Sequence, residues 1–343
     1  MSNPTAVTRR RLSLGGSTSA LRVRFLGVVI FLAILVIAFS LLSPQFFTLG
    51  NGRSVLFTAA ILAIAAAGQS LVVLTGNLDL SVGSIMGLTA YVVFDLAGKN
   101  ATLQPFVVIL ALAIGALLGF INGMFVTVLQ IPSIVATLGT LSIYRGFVSV
   151  YANAKEVTSG TLPPWMRALA TQVWLGLPSY VWISAVIIAI VAVALTRLPW
   201  GRKIYAYGSN PKAARFYGLS STHIVIGAYV GAGMIAAIAG LLLGAQVGNI
   251  NSLLANGIEL QVLAAVVIGG VSIWGGSGSV IGAAIGAVVL ATINNGLVLL
   301  EVQEFYRLLI QGAAIIAAVW VDAIVQRRVI GSGTRRRIME VES

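Results

Sequence analysis

The sequence predicts an all-α, polytopic membrane protein with about ten transmembrane helices, each near the 20 residues that a bilayer demands. Three observations carry that prediction. Hydrophobic residues fill 58% of the 343 positions and charged residues only 9%, whereas a soluble domain is about a quarter charged. Apolar runs of spanning length recur along the chain. Lys and Arg cluster in alternate connecting segments, as a positive-inside topology requires.

The chain opens with a basic tail, 1–24, holding Arg9, Arg10, Arg11, Arg22 and Arg24. The apolar run from Phe25 to Leu42 is too long for a signal-peptide core and ends at Ser43-Pro44-Gln45. It reads as an uncleaved first span. The expected spans are 25–43, 54–75, 79–97, 105–129, 133–152, 180–196, 223–243, 258–271, 278–298 and 306–325. The eighth is short, and is either extended by the residues before it or a broken helix. A basic tail, 326–343, follows the last span.

Orientation follows from the charges. With the N-terminus cytoplasmic, 15 of the 21 Lys and Arg fall in inside segments and 5 in outside segments, with Arg145 inside the fifth span. The net charge of +12 is thereby a topology signal, and nucleic-acid binding is disfavoured. Both termini are expected in the cytoplasm. The largest outside loop, 153–179, carries Pro163-Pro164-Trp165 and Trp174, suited to the membrane interface. The largest inside loop, 197–222, is polar and basic and should stand clear of the bilayer.

Glycine occurs 38 times. Gly115, Gly119 and Gly123 form one face of the fourth span, and Gly278, Gly282 and Gly286 one face of the ninth. Such faces let membrane helices approach closely.

Residue chemistry excludes several classes. With no cysteine and His223 as the one histidine, no thiolate or His-rich metal site can form. There is no Walker-type glycine loop and no series of buried carboxylates for a proton relay. Asp79 and Ser81 open the third span, either as caps for exposed helix N–H groups or as part of a gate. Asp95 and Glu259 are expected at wetted span ends. Arg145 is expected to pair with a carboxylate or a carbonyl. Gln69, Asn122, Thr137, Thr140, Asn294 and Asn295 place amides and hydroxyls inside spans. They either line a path for a hydroxyl-rich solute or bond neighbouring helices.

Four blocks resemble the ribose/xylose/arabinose-type sugar ABC permeases, a family that also includes autoinducer-2 and rhamnose permeases. They are Asn77-Leu78-Asp79-Leu80-Ser81-Val82-Gly83-Ser84; Ile131-Pro132-Ser133 through Thr140; Gly201-Arg202 through Gly208-Ser209-Asn210-Pro211-Lys212-Ala213-Ala214-Arg215 and Gly218; and Val267-Ile268-Gly269-Gly270 with Gly275-Gly276-Ser277-Gly278-Ser279. With the flanking spans, the resemblance covers nearly the whole chain.

The resemblance implies a type II-like importer permease in a bacterial cytoplasmic membrane, paired with a second copy or a sister permease. It implies a cytoplasmic ABC ATPase that binds ATP and Mg, an extracytoplasmic sugar-binding protein, and no cofactor or catalytic residue in this subunit. Gly208, Asn210, Pro211, Ala213, Ala214, Arg215 and Gly218 would couple to the ATPase. Asn210-Pro211 can also start a short helix in its own right. The alternative is a stand-alone secondary transporter or channel for a small polar solute.

Overall fold

The computed structural model describes residues 15–158, 160, 162–314, 316, 317, 319 and 320. Arg9, Arg10 and Arg11, residues 315, 318 and 321–325 of the expected last span, and the tail 326–343 lie outside them. Helices dominate: α1 Gly15–Leu42, α2 Leu49–Val73, α3 Val82–Lys99, α4 Val107–Thr127, α5 Ser133–Ala152, α6 Pro164–Thr171, α7 Ser179–Arg197, α8 Pro199–Ser209, α9 Pro211–Phe216, α10 Ser221–Val247, α11 Ile258–Ile268, α12 Val280–Leu299 and α13, 304–314.

Seven of these, α2, α3, α4, α5, α7, α10 and α12, are long and apolar enough to cross a membrane among the described residues. The chain is a multi-pass membrane protein. The apolar part of α1, Leu26–Leu42, and α11 are shorter.

Local sequence sets the helix ends. The Thr48 side chain accepts the Asn51 N–H at the start of α2, and the Ser220 hydroxyl accepts that of His223 at the start of α10. Gly248, at φ 72°, ends α10 in the left-handed region.

Helices α2 and α10 form the centre. The inner two-thirds of α2, Ala59 to Val73, is buried without a break, as a helix surrounded by others must be. The glycine face of α4 lies directly on α10: a Cβ at Gly115 would overlap the Gly233 carbonyl, and one at Gly119 the Tyr229 carbonyl. Helices α11 and α12 meet the same way, through Gly269, Gly282 and Gly286. Backbone-to-backbone approach of this kind gains dispersion contacts where lipid offers no hydrophobic drive.

One connection differs from expectation, and another decides between the two forms expected for the eighth span. Segment 197–222 is mostly two helices, α8 and α9, with Ile204 and Gly208 buried against the bundle. It packs because the α8 face that carries Gly201, Ile204 and Gly208 is small or apolar. The segment before α11, 248–257, is non-helical. Gly248, Ala255 and Gly257 all have positive φ there, so no helix can run through it. The 11 residues of α11 rise only about 16 Å, roughly half of a hydrocarbon core near 30 Å. The eighth span is thus a half-helix entered by a non-helical segment.

At the bundle end opposite α8 and α9, two short antiparallel strand pairs shape the long loop. Val157–Thr158 pairs with Asn249–Ile250, and Val173–Trp174 with Leu177–Pro178. Between them α6 starts at Pro164, and Trp165 and Trp174 are exposed.

Candidate functional site: the junction at the α8–α9 end

The segment joining α2 to α3, 74–81, is non-helical yet enclosed: Thr75, Asp79 and Ser81 are all buried. Its polar groups therefore need internal partners. Asp79 Oδ1 accepts the Ser81 N–H at 2.8 Å and the Ser81 hydroxyl at 2.6 Å. Asn122 of α4 donates to the Ser81 hydroxyl oxygen at 2.7 Å, and the Tyr144 hydroxyl of α5 donates to Asn122 Oδ1 at 3.3 Å and to the Leu118 carbonyl at 3.0 Å. One hydrogen-bonded chain thus ties the start of α3 to α4 and α5. Asp79 caps a backbone N–H just ahead of α3, and Ser81 itself makes no side-chain cap.

Backbone groups of Leu78 complete the junction. Its N–H donates to the Ser133 hydroxyl at 3.2 Å, and its carbonyl accepts the Tyr229 hydroxyl at 2.8 Å. Residues 77–84 and Ser133, far apart in sequence, are therefore in direct contact.

The other two blocks close the same end. Gly276 N–H donates to the Leu74 carbonyl at 2.9 Å, the last turn of α2. The Ser209 hydroxyl bonds the Tyr205 carbonyl at 2.8 Å and the Gly276 carbonyl at 3.3 Å, and the Tyr205 hydroxyl donates to the Gly278 carbonyl at 3.0 Å. Burial raises the Tyr205 phenol above its ordinary range, so it stays a donor. A Cβ at Gly208 would overlap the Leu74 carbonyl, and one at Gly275 would lie 2.7 Å from the Gly76 nitrogen. Four sequence blocks converge on one compact junction that grips α8.

Helix α9 projects from this grip. The Asn210 side chain accepts the Ala213 N–H at 3.0 Å, and Pro211 takes the first turn. Ala214 is buried, Gly218 sits at φ 76°, and Asn210, Pro211 and Arg215 face outward. Beside them stand Phe216, 92% exposed, and Tyr217, 87% exposed. The sequence reading missed these two. The signal was present, as two adjacent aromatics in a basic loop outside every span.

The remaining intramembrane polar residues divide. Gln69, Asn122, Thr137 and Thr140 are buried within the protomer. Thr137 bonds the Ser133 carbonyl and Thr140 the Thr137 carbonyl. Asn294 and Asn295, on α12, instead open onto a cavity toward the far end. Arg145 finds carbonyl partners: its Nη1 donates to Ser252 at 3.1 Å and Leu254 at 2.8 Å, holding the non-helical segment before α11.

Asp95 lies at the far end of α3, bonded to Lys99 at 2.8 Å and to the Tyr151 hydroxyl at 2.7 Å. Glu259 lies in the first turn of α11, half-buried: one carboxylate oxygen packs near Gly83 of α3, and the other accepts the Gly257 N–H at 3.2 Å at an exposed position.

A family model described as "Branched-chain amino acid transport system / permease component" matches residues 53–319. The chain is 38% identical over 283 residues to the autoinducer 2 import system permease protein LsrC of Photorhabdus luminescens, covering 82% of this chain and 85% of that one. It is 37% identical over 281 residues to LsrC of Escherichia coli (strain K12 / DH10B), covering 82% and 81%. It is 36% identical over 301 residues to the ribose import permease protein RbsC of Escherichia coli (strain K12), covering 86% and 92%. No solved structure matches the chain.

Proposed function

The chain belongs to the permease family whose description is the branched-chain amino acid transport system permease component, and on that premise we propose that it is the transmembrane subunit of an ATP-driven importer for a monosaccharide or related polyol. Relatives named for autoinducer 2 and ribose support that substrate class. A second copy or a sister permease completes the path, a sugar-binding protein delivers solute outside, and an ABC ATPase binds ATP and Mg in the cytoplasm. The basic α8–α9 end faces the cytoplasm, as the Lys and Arg distribution requires.

One observation supports the coupling role: α8 is held by backbone approach to the end of α2 and to the loop between α11 and α12, while α9 carries two bare aromatics. A push on Phe216 and Tyr217 is delivered through Gly208 to Leu74 and through Ser209 to Gly276. ATPase closure can then bias two packings of the same bundle.

Exposed aromatics at a docking tip act as anchors, so replacing both Phe216 and Tyr217 with Asp should cut uptake by about tenfold or more. The measurement is radiolabelled sugar uptake in cells carrying the complete importer, with membrane level checked by immunoblot. Wild-type uptake at normal membrane level would remove the docking assignment.

A further inference from the structure

The far half of the bundle contains a cavity of about 330 Å³ between α2, α11, α12 and α13. That size lies at the small end of the roughly 300–1,000 Å³ typical of small-molecule sites. Its wall is polar. Four amides, Gln261, Asn294, Asn295 and Gln311, face it together with Glu304 and Arg307. Ser54 and Thr58 add hydroxyls, and they also line a neighbouring cavity of about 390 Å³ beneath the α6 loop. The two cavities thus adjoin along one face of α2, with the second lying toward the surface loop.

Ala291, in the cavity lining, is about eight residues from the end of α12, or roughly 12 Å of helix. Amides and charges at that depth are tolerated when they face protein or water.

The hydrogen-bond inventory is also incomplete in a specific way. Asn295 donates to Asn51 Oδ1 at 2.7 Å, yet its own Oδ1 is buried with no partner among the described residues, and so is Arg307 Nε. Both residues line the cavity, and a buried polar atom without a partner is costly. A solute hydroxyl both donates and accepts, as the wall amides do, so the two are matched in kind. Gln311 donates an amide hydrogen to Asn294 Oδ1. Glu304 and Arg307 carry opposite charges, so the wall as a whole attracts neither anions nor cations.

We propose that this amide-lined cavity in the outer half of the protomer is a binding site for a small, uncharged, polyhydroxylated solute during transport. The assignment rests on the importer reading above. It gives solute a foothold within each protomer before the junction of α2, α3 and α8 is reached.

Because the chain has no cysteine, single cysteines report without background. Asn294→Cys and Thr58→Cys are made in the complete importer, with Ile190→Cys, on the exposed face of α7, as the lipid-facing control. Uptake of D-ribose and a pentose and hexose panel first identifies a transported sugar. A membrane-impermeant methanethiosulfonate is then applied from outside.

The reactive thiolate forms in water and is suppressed in apolar surroundings, so both cavity cysteines should react at least about tenfold faster than the control. At twice its dissociation constant, the transported sugar should slow them about threefold. Asn294→Leu should raise the KM for uptake while leaving membrane level unchanged. Fast labelling that no transported sugar slows means a water-filled crevice only and overturns the site. Labelling no faster than the control overturns it as well. If the complete importer takes up no sugar in the panel, the importer reading itself falls, and the site falls with it.

Discussion

The two ends of the bundle are built on opposite principles. At the α8–α9 end, backbone touches backbone: Gly208 on Leu74, Gly275 on Gly76, Gly276 bonded to the α2 terminus. Most buried polar atoms there have partners, as the run from Asp79 through Ser81 and Asn122 to Tyr144 shows, with the Gln69 amide of α2 an exception. At the outer end, cavities of about 330 and 390 Å³ separate the helices, and Asn295 Oδ1 and Arg307 Nε are left unmatched. On the proposed reading, the close-packed junction transmits force and the hollow wall exchanges hydrogen bonds with a passing solute.

The most severe test of the rigid end is Gly208→Leu. Its first side-chain carbon would overlap the Leu74 carbonyl, which cannot retreat because Gly276 is bonded to it. Overpacking of this kind costs about 1–3 kcal/mol or more. Folded protein recovered in detergent should fall sharply, and uptake with it. Bulky residues at Gly208 therefore probe packing, and the docking question belongs to Phe216 and Tyr217. Normal yield and thermal stability for Gly208→Leu would show that the junction is loose, and the contrast between the ends would fail.

Next in size is Asp79→Ala. The change strips two hydrogen bonds from Ser81, each worth about 1.5–3 kcal/mol when the acceptor is charged. The thermal midpoint in detergent should drop by several degrees. Asp79→Asn keeps an acceptor and should retain more of it. A midpoint unchanged in both variants, with uptake lost, would make Asp79 a gate residue and not a cap.

Much of this was legible in the sequence. The fifth span was read residue for residue at 133–152, and the glycine face of α4 packs as its four-residue spacing implies; on α12 only Gly282 and Gly286 do so, because Gly278, at φ 139°, lies in the loop before the helix and packs on Val271. Asn210 and Pro211 announced α9 through local capping chemistry. Span eight was legible as irregular because its apolar run is short. The convergence of 77–84, Ser133, 205–209 and 275–278 was not legible, since contacts across more than 50 positions leave no trace in local periodicity. The outer cavity was half legible. Asn294 and Asn295 stood out as amides in a span, but Ser54, Gln261 and Gln311 join them only once four helices are assembled.

The smallest expected effect compares two hydroxyls, one at each end. Ser81→Ala removes a group that donates to Asp79 and accepts from Asn122, leaving both buried partners short, at about 1–3 kcal/mol. Thr58→Val removes a hydroxyl that opens onto both outer cavities, where water can replace what is lost. An exposed substitution of this kind should change stability by no more than about 0.5 kcal/mol. Thermal midpoints of the two variants, measured side by side, should therefore differ clearly, with Thr58→Val at the wild-type value. Its uptake KM should still rise, because a solute hydroxyl loses one partner in the wall. Equal destabilisation by the two substitutions would mean that the outer hydroxyl is as firmly bonded as the inner one. The outer half would then be a packed extension of the junction, with no room to trade hydrogen bonds with a solute.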